Sequence, residues 1–166
     1  MSQFQPLVDQ IMSVMDAAFD PAFGEAWNRR QVSEALVLPH TQALVVDERG
    51  DAIERRSQSE ASPKPAGFVL TRHVADEEEL LLIAVTPEQR RRGLAEKLID
   101  RMIANARDRG TQRIFLEMRK GNPAVHLYKK IGFEPIGERI AYYKLSDGNK
   151  VDAITFGLDL ARVKVT

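Results

Sequence analysis

Leu80-Leu81-Leu82-Ile83-Ala84-Val85-Thr86-Pro87-Glu88-Gln89-Arg90-Arg91-Arg92-Gly93-Leu94-Ala95 decides the fold, because it reads as a strand, a stop, a basic turn and the start of a helix. Leu80 to Val85 is an unbroken apolar run, the pattern of a strand covered on both faces. Thr86-Pro87 ends it. From Leu94 onward, Leu98, Ile99, Met102, Ile103 and Ala106 recur at helical spacing, and Gly110 supplies the stop. The first-turn N–H groups of such a helix lack internal partners and carry the positive end of its dipole, so a phosphate fits at this junction on backbone donors. Gly93 and Ala95 are small enough to let one approach. A basic run alone is more often a solvated surface, so the turn takes its meaning from its surroundings.

Upstream, Leu7, Val8, Ile11, Met12, Met15 and Phe19 predict a first helix, and Asn28 to Leu36 a short second one. The loop between them carries Phe23, with Trp27 just beyond. Ala43 to Val46 and Gly67 to Leu70 read as strands. The intervening 49–65 is rich in Ser, Glu, Arg and Pro, which predicts a flexible hairpin connection inside a single domain spanning 1–166. Downstream, Ile114, Leu116 and Met118 alternate with Phe115, Glu117 and Arg119, so a strand there puts Glu117 near its end. Asn122-Pro123 predicts an N-cap and first helical position, with Ala124, Leu127, Tyr128 and Ile131 on one stripe and Tyr128 pointing inward. Two more strands, about Glu134 to Tyr143 and Val151 to Leu160, are joined by the turn residues Ser146-Asp147-Gly148-Asn149.

Composition narrows the class. A chain of 166 residues, 43% of them hydrophobic, is one domain with a real core. A formal charge of zero gives no bulk attraction to nucleic acid. Without cysteine, disulfides, thiolate metal sites and a cysteine nucleophile are excluded. No stretch is long enough to span a bilayer and no leader pattern opens the chain, so a cytoplasmic location is expected by default. His40 and His73 have no metal-ligand companions and His126 reads as a surface residue, so no metal is expected.

Arg90-Arg91-Arg92-Gly93-Leu94-Ala95 resembles the acetyl-CoA pyrophosphate loop of the GNAT superfamily of N-acetyltransferases. Leu116-Glu117-Met118-Arg119, Asn122 to Phe133, Tyr142-Tyr143 and Asp147 to Ala153 are similar, in order, to the bacterial ribosomal-protein-alanine N-acetyltransferases. The resemblance covers most of residues 67 to 158. It implies an α/β (α+β) fold with a central mixed, mostly antiparallel twisted sheet of six to seven strands flanked by about four helices. A first edge strand usual in that family is expected to be short or missing, since only Met1 to Gln5 precede the helical pattern. Asn122 and Tyr128 are also one residue closer than in many of its members.

The same resemblance implies direct transfer from acetyl-CoA to the N-terminal α-amine of a protein, with Glu117 as base and Tyr128 as general acid. The cosubstrate would be held by Ile83, Val85, Arg90, Arg91, Arg92, Gly93, Leu94, Ala95 and Asn122. Val85 would supply a backbone N–H to the thioester oxygen. The acceptor peptide, possibly of a ribosomal protein, would enter between Phe19–Trp27 and Tyr142–Gly148, touching Phe23, Trp27, Tyr142 and Tyr143. Asp76-Glu77-Glu78-Glu79 either attracts a basic peptide or is a solvated hairpin turn. Each residue also has a plainer reading: Glu117 in a surface ion pair with Arg119, Tyr128 as a core tyrosine, Tyr142 and Tyr143 as strand aromatics facing opposite sides. A small-molecule amine acetyltransferase and a non-catalytic CoA-binding module are the alternatives in function.

Overall fold

The computed structural model describes residues 5–20, 25–53 and 63–163. Helix α1 spans Gln5–Ala18 and buries Leu7, Val8, Ile11, Val14 and Met15 on one stripe. Helix α2, Arg29–Val37, starts on a capping box in which Asn28 and Gln31 exchange side-chain and backbone hydrogen bonds, both 2.9 Å. Helix α3 spans Leu94–Asp108 and α4 Val125–Ile131. The strands are β1 Thr41–Val46, β2 Gly67–Val74, β3 Glu77–Val85, β4 Arg113–Arg119, β5 Glu134–Lys144 and β6 Lys150–Asp159.

These strands form one sheet in the order β1-β2-β3-β4-β6-β5, with β3 and β4 parallel and every other neighbour antiparallel. Among the described strands the one parallel step falls where α3 crosses over between β3 and β4, as a parallel connection requires. One core lies under α3 and α4, around Leu98, Ile99, Ile114, Tyr128 and Phe156, and the other under α1 and α2, around Ile11, Met15, Phe68 and Leu70. Leu80, Ile83 and Val85 of β3 face the first core while Leu82 and Ala84 face the second, so the apolar run is covered on both sides.

Several boundaries differ from the sequence reading. Residues 49–53, expected as flexible hairpin connection, form a tight turn: Asp47 accepts from the amides of Arg49 and Asp51, and Ile53 N–H returns to Val45 O at 2.8 Å. Of the rest of that expectation, residues 63–65 are irregular chain leading into β2 and residues 54–62 lie outside the described residues, as do the first four residues, where an edge strand was expected to be short or missing. Helix α4 begins at Val125, two residues after Pro123, because Asn122 closes a tight turn first: its Oδ1 accepts from Ala124 N at 2.9 Å.

The acidic run is also corrected. Only Asp76 lies in the β2–β3 turn; Glu77, Glu78 and Glu79 are strand residues. Glu78 is 1% exposed, ion-paired to Arg109 and accepting from Thr111 Oγ1 at 3.2 Å. Glu79 pairs with Arg72 at 2.7 Å. The run is therefore neither a solvated turn nor a block of four free charges.

Candidate active site

Strand β3 changes step at Leu81. Thr71 pairs with Leu80 and Leu70 with Leu82, so Leu81 is an extra residue that kinks the strand. Parallel pairing with β4 runs only from Glu77↔Arg113 to Leu80↔Leu116. Past that point β2 retains Leu82 to Val85 and β6 retains Glu117 to Arg119, leaving a cleft of about 700 Å³ between them. Backbone N–H groups alternate sides along a strand. Thr86 N–H bonds Ala66 O on the β2 side at 2.9 Å, so the preceding Val85 N–H points at the edge that β4 has left.

At the top of the cleft, Pro87–Gln89 forms a single 3₁₀ turn, and the chain reaches α3 through two positive-φ residues, Arg91 at +62° and Gly93 at +79°. Gly93 is the N-cap of α3 and no side chain caps the helix. The left-handed conformation favours glycine here in its own right, and the space about its Cα is open. Ala95 and Arg90 line the cleft. Arg90 donates its guanidinium to Ala18 O at the end of α1, so it fastens the loop to that helix. Arg91 and Arg92 are exposed, and Leu94 is buried in the core beneath α3. With its side chain in the core, Leu94 has its backbone N–H to offer a ligand.

Glu117, Tyr128 and Asn122 reach the same cleft from β4, α4 and the turn between them. Glu117 is paired with Arg139 across β6, Nε to Oε2 at 3.2 Å, and takes Thr155 Oγ1 at 3.4 Å. The sequence reading set Glu117 beside Arg119 in a surface ion pair. Arg119 binds Glu25 instead, at 2.9 Å, and Asn122 Nδ2 donates to the other Glu25 oxygen at 3.2 Å. Glu25, which sequence reasoning passed over, thereby ties the α1–α2 loop to the end of β4. Tyr128 is 6% exposed and packs edge-on to Phe133. Burial, and then the nearby Glu25 charge, raise its phenol well above the ordinary tyrosine range. It is both a core tyrosine and a cleft residue.

Trp27, Tyr142 and Tyr143 line the cleft, whereas Phe23 lies outside the described residues. Tyr142 and Tyr143 converge with ring centroids 5.2 Å apart, against the plain-strand expectation that they face opposite sides. Burial first, then Glu117, Glu25 and Tyr142, push Tyr143 up to about 12, with Arg139 opposing. A second depression of about 320 Å³ continues over the open face of β4, β6 and β3, lined by Phe115, Thr155, Arg139, Glu77 and Glu79. Leu116, Glu117 and Tyr142 line both spaces, so the two depressions adjoin at Glu117. Among the described residues no group of three or more acidic or histidine side chains could hold a metal ion, and no helix is long and apolar enough to cross a membrane.

An open splay with a free N–H, a glycine-led helix N-terminus without a side-chain cap, and small Ala95 beside it fit the elongated thioester and pyrophosphate of acetyl-CoA. The comparisons agree. The [ribosomal protein bS18]-alanine N-acetyltransferase of Escherichia coli K12 is 37% identical over 99 residues, 59% of this chain. The chain thus spans 66%, just under two thirds, of that relative's length. A putative bS18-alanine N-acetyltransferase of Bacillus subtilis is 30% identical over 124 residues, 74% of each chain. The crystal structure of the Escherichia coli ribosomal-protein-S18-alanine N-acetyltransferase superposes with a TM-score of 0.74 at 25% identity, over 96% of this chain and 90% of that one. Residues 12–133 match the model of the acetyltransferase (GNAT) family, and with the splayed sheet and the glycine-led loop in place, the chain belongs to that family.

Proposed function

We propose that this chain transfers the acetyl group of acetyl-CoA directly to the N-terminal α-amine of a protein, a ribosomal protein beginning with alanine by the names of its relatives. The observation that carries the reading is the pair of adjoining depressions that share Glu117: an amine there has space on both sides of it, where an extended peptide can run. A small amine would need no such continuation.

Acetyl-CoA supplies the activated acetyl carbon. Ile83 and Val85 line the edge along which its pantetheine arm would lie; Gly93, Leu94 and Ala95 offer backbone N–H groups to the pyrophosphate, with Arg91 and Arg92 adding positive charge. Asn122, on the opposite wall, would hold the arm near the end of β4. An N-terminal α-ammonium has a pKa of roughly 8 and must lose a proton before it can attack. Glu117 accepts that proton, directly or through water. The Val85 N–H polarises the thioester oxygen as the C–N bond forms and the C–S bond breaks. Tyr128, held protonated by burial, gives its proton to the departing sulfur. Trp27, Tyr142 and Tyr143 grip the first residues of the acceptor, and Phe23 in the α1–α2 loop is assigned the same role. Mass spectrometry of ribosomal proteins from cells with and without this enzyme tests the reading. Loss of one N-terminal acetyl group supports it; an unchanged set of N-termini contradicts it.

A further inference from the structure

Two adjacent residues on a regular strand point to opposite faces, yet Tyr142 and Tyr143 meet over one cleft. The cause lies in the pairing of β5 with β6. Arg139 is opposite Ala153 and Tyr143 opposite Val151, so Ile140, Ala141 and Tyr142 together face Asp152 alone. Ala141, at the centre of this bulge, has φ +55°, a left-handed conformation that a non-glycine residue adopts only under constraint. The constraint is Asp152: its Oδ1 accepts from Ala141 N at 2.8 Å, replacing the ladder bond that the bulge removes. The Asp152 main chain is itself fixed, since its carbonyl accepts from Lys120 N at 2.8 Å just past the end of β4. With Asp152 anchored, the bulge turns Tyr142 onto the face that carries Glu117, Arg139 and Tyr143, and Arg139 then lies 5.1 Å from the Tyr142 ring centroid.

We infer that Asp152 is the positioning residue of the acceptor clamp: its side chain holds the β5 bulge in the one conformation that brings both tyrosines over the acceptor groove. The inference rests on the acceptor side of the proposed function. Asp152 touches neither acceptor nor acetyl-CoA, so its loss acts through the tyrosines.

The test compares four variants of the full chain. Asp152→Ala raises the acceptor KM tenfold or more while acetyl-CoA affinity and kcat stay within about threefold of wild type, because ground-state grip is lost and chemistry is not. Asp152→Asn keeps an acceptor oxygen and restores KM to within about threefold. Ala141→Gly placed in the Asp152→Ala chain recovers part of the loss, since glycine takes positive φ freely. Ala141→Val, whose β-branch resists that conformation, reproduces the KM defect with Asp152 intact. Hydrogen exchange of the Ala141 amide gives a readout independent of activity: protected in wild type and Asp152→Asn, fast in Asp152→Ala. Protection retained in Asp152→Ala, or fast exchange with an unchanged KM, overturns the inference. If wild type ignores peptides and acetylates small amines, the peptide reading fails, and the same KM comparison on that amine still decides the role of Asp152.

Discussion

Glu117 sits between Arg139 and Thr155 and lines the cleft, so the ion-paired carboxylate and the proposed base are the same side chain in two settings. In the proposed reaction, an arriving α-ammonium would compete with the Arg139 guanidinium for that carboxylate. Glu117→Gln should leave acetyl-CoA affinity near normal and lower turnover by about two to four decades, the range for loss of general-base catalysis. The deficit should shrink as pH rises through roughly 8, where more of the amine is already neutral. Steady-state rates from pH 6 to 9.5 check both. Glu117 and Tyr128 were legible because each stands in an ordered motif. Glu25 was not: it lies in a loop, and its partners Arg119 and Asn122 are 94 and 97 residues away, a pairing that only the folded chain reveals.

Strand β3 and its two ends show how far elements can be read. The apolar half was visible as a buried strand; the acidic half was not, because the interior Glu78 is satisfied by Arg109 and Thr111, 31 and 33 residues downstream. Removing that carboxylate leaves the Arg109 guanidinium with neutral Gln42 Oε1, at 2.7 Å, and an Nε that already lacks a partner. Glu78→Ala should therefore cost about 3 kcal/mol, at the lower end for breaking a buried pair since Arg109 is partly exposed. Replacing Glu78 and Arg109 together by Leu and Met should cost much less, and urea unfolding of both variants checks the contrast. At the other end of β3, Gly93→Val meets two obstacles, a left-handed φ of +79° and crowding of the phosphate path. The first costs about 1–2 kcal/mol, and the second should weaken acetyl-CoA binding tenfold or more, measured by calorimetry at a temperature where the variant is folded. The paired tyrosines escaped sequence reading for a related reason: alternation assumes an unbroken ladder, and a bulge at Ala141 leaves no mark in hydrophobic pattern.

Across the whole molecule, the sheet, the crossover at α3 and the two cores follow from hydrophobic periodicity, while the cleft depends on where pairing stops. Tyr128 and Tyr143 both line that cleft, with phenols raised above the free value of 10.0. The sign follows from burial of a group that must stay neutral: their contribution to stability is complete below pH 10 and is lost as pH rises, for Tyr143 through about 12. Thermal unfolding should therefore fall steeply above pH 10 in wild type and less steeply in Tyr128→Phe. The central claim concerns the acceptor, and one assay addresses it most directly. A peptide with N-terminal alanine and internal lysines, the same peptide α-blocked, and a panel of small polyamines are offered separately to the enzyme with acetyl-CoA, and the modified nitrogen is located by mass spectrometry. The account predicts acetylation of the α-amine, an inert α-blocked peptide and slow polyamine turnover; preferential modification of polyamines or lysine side chains would contradict it.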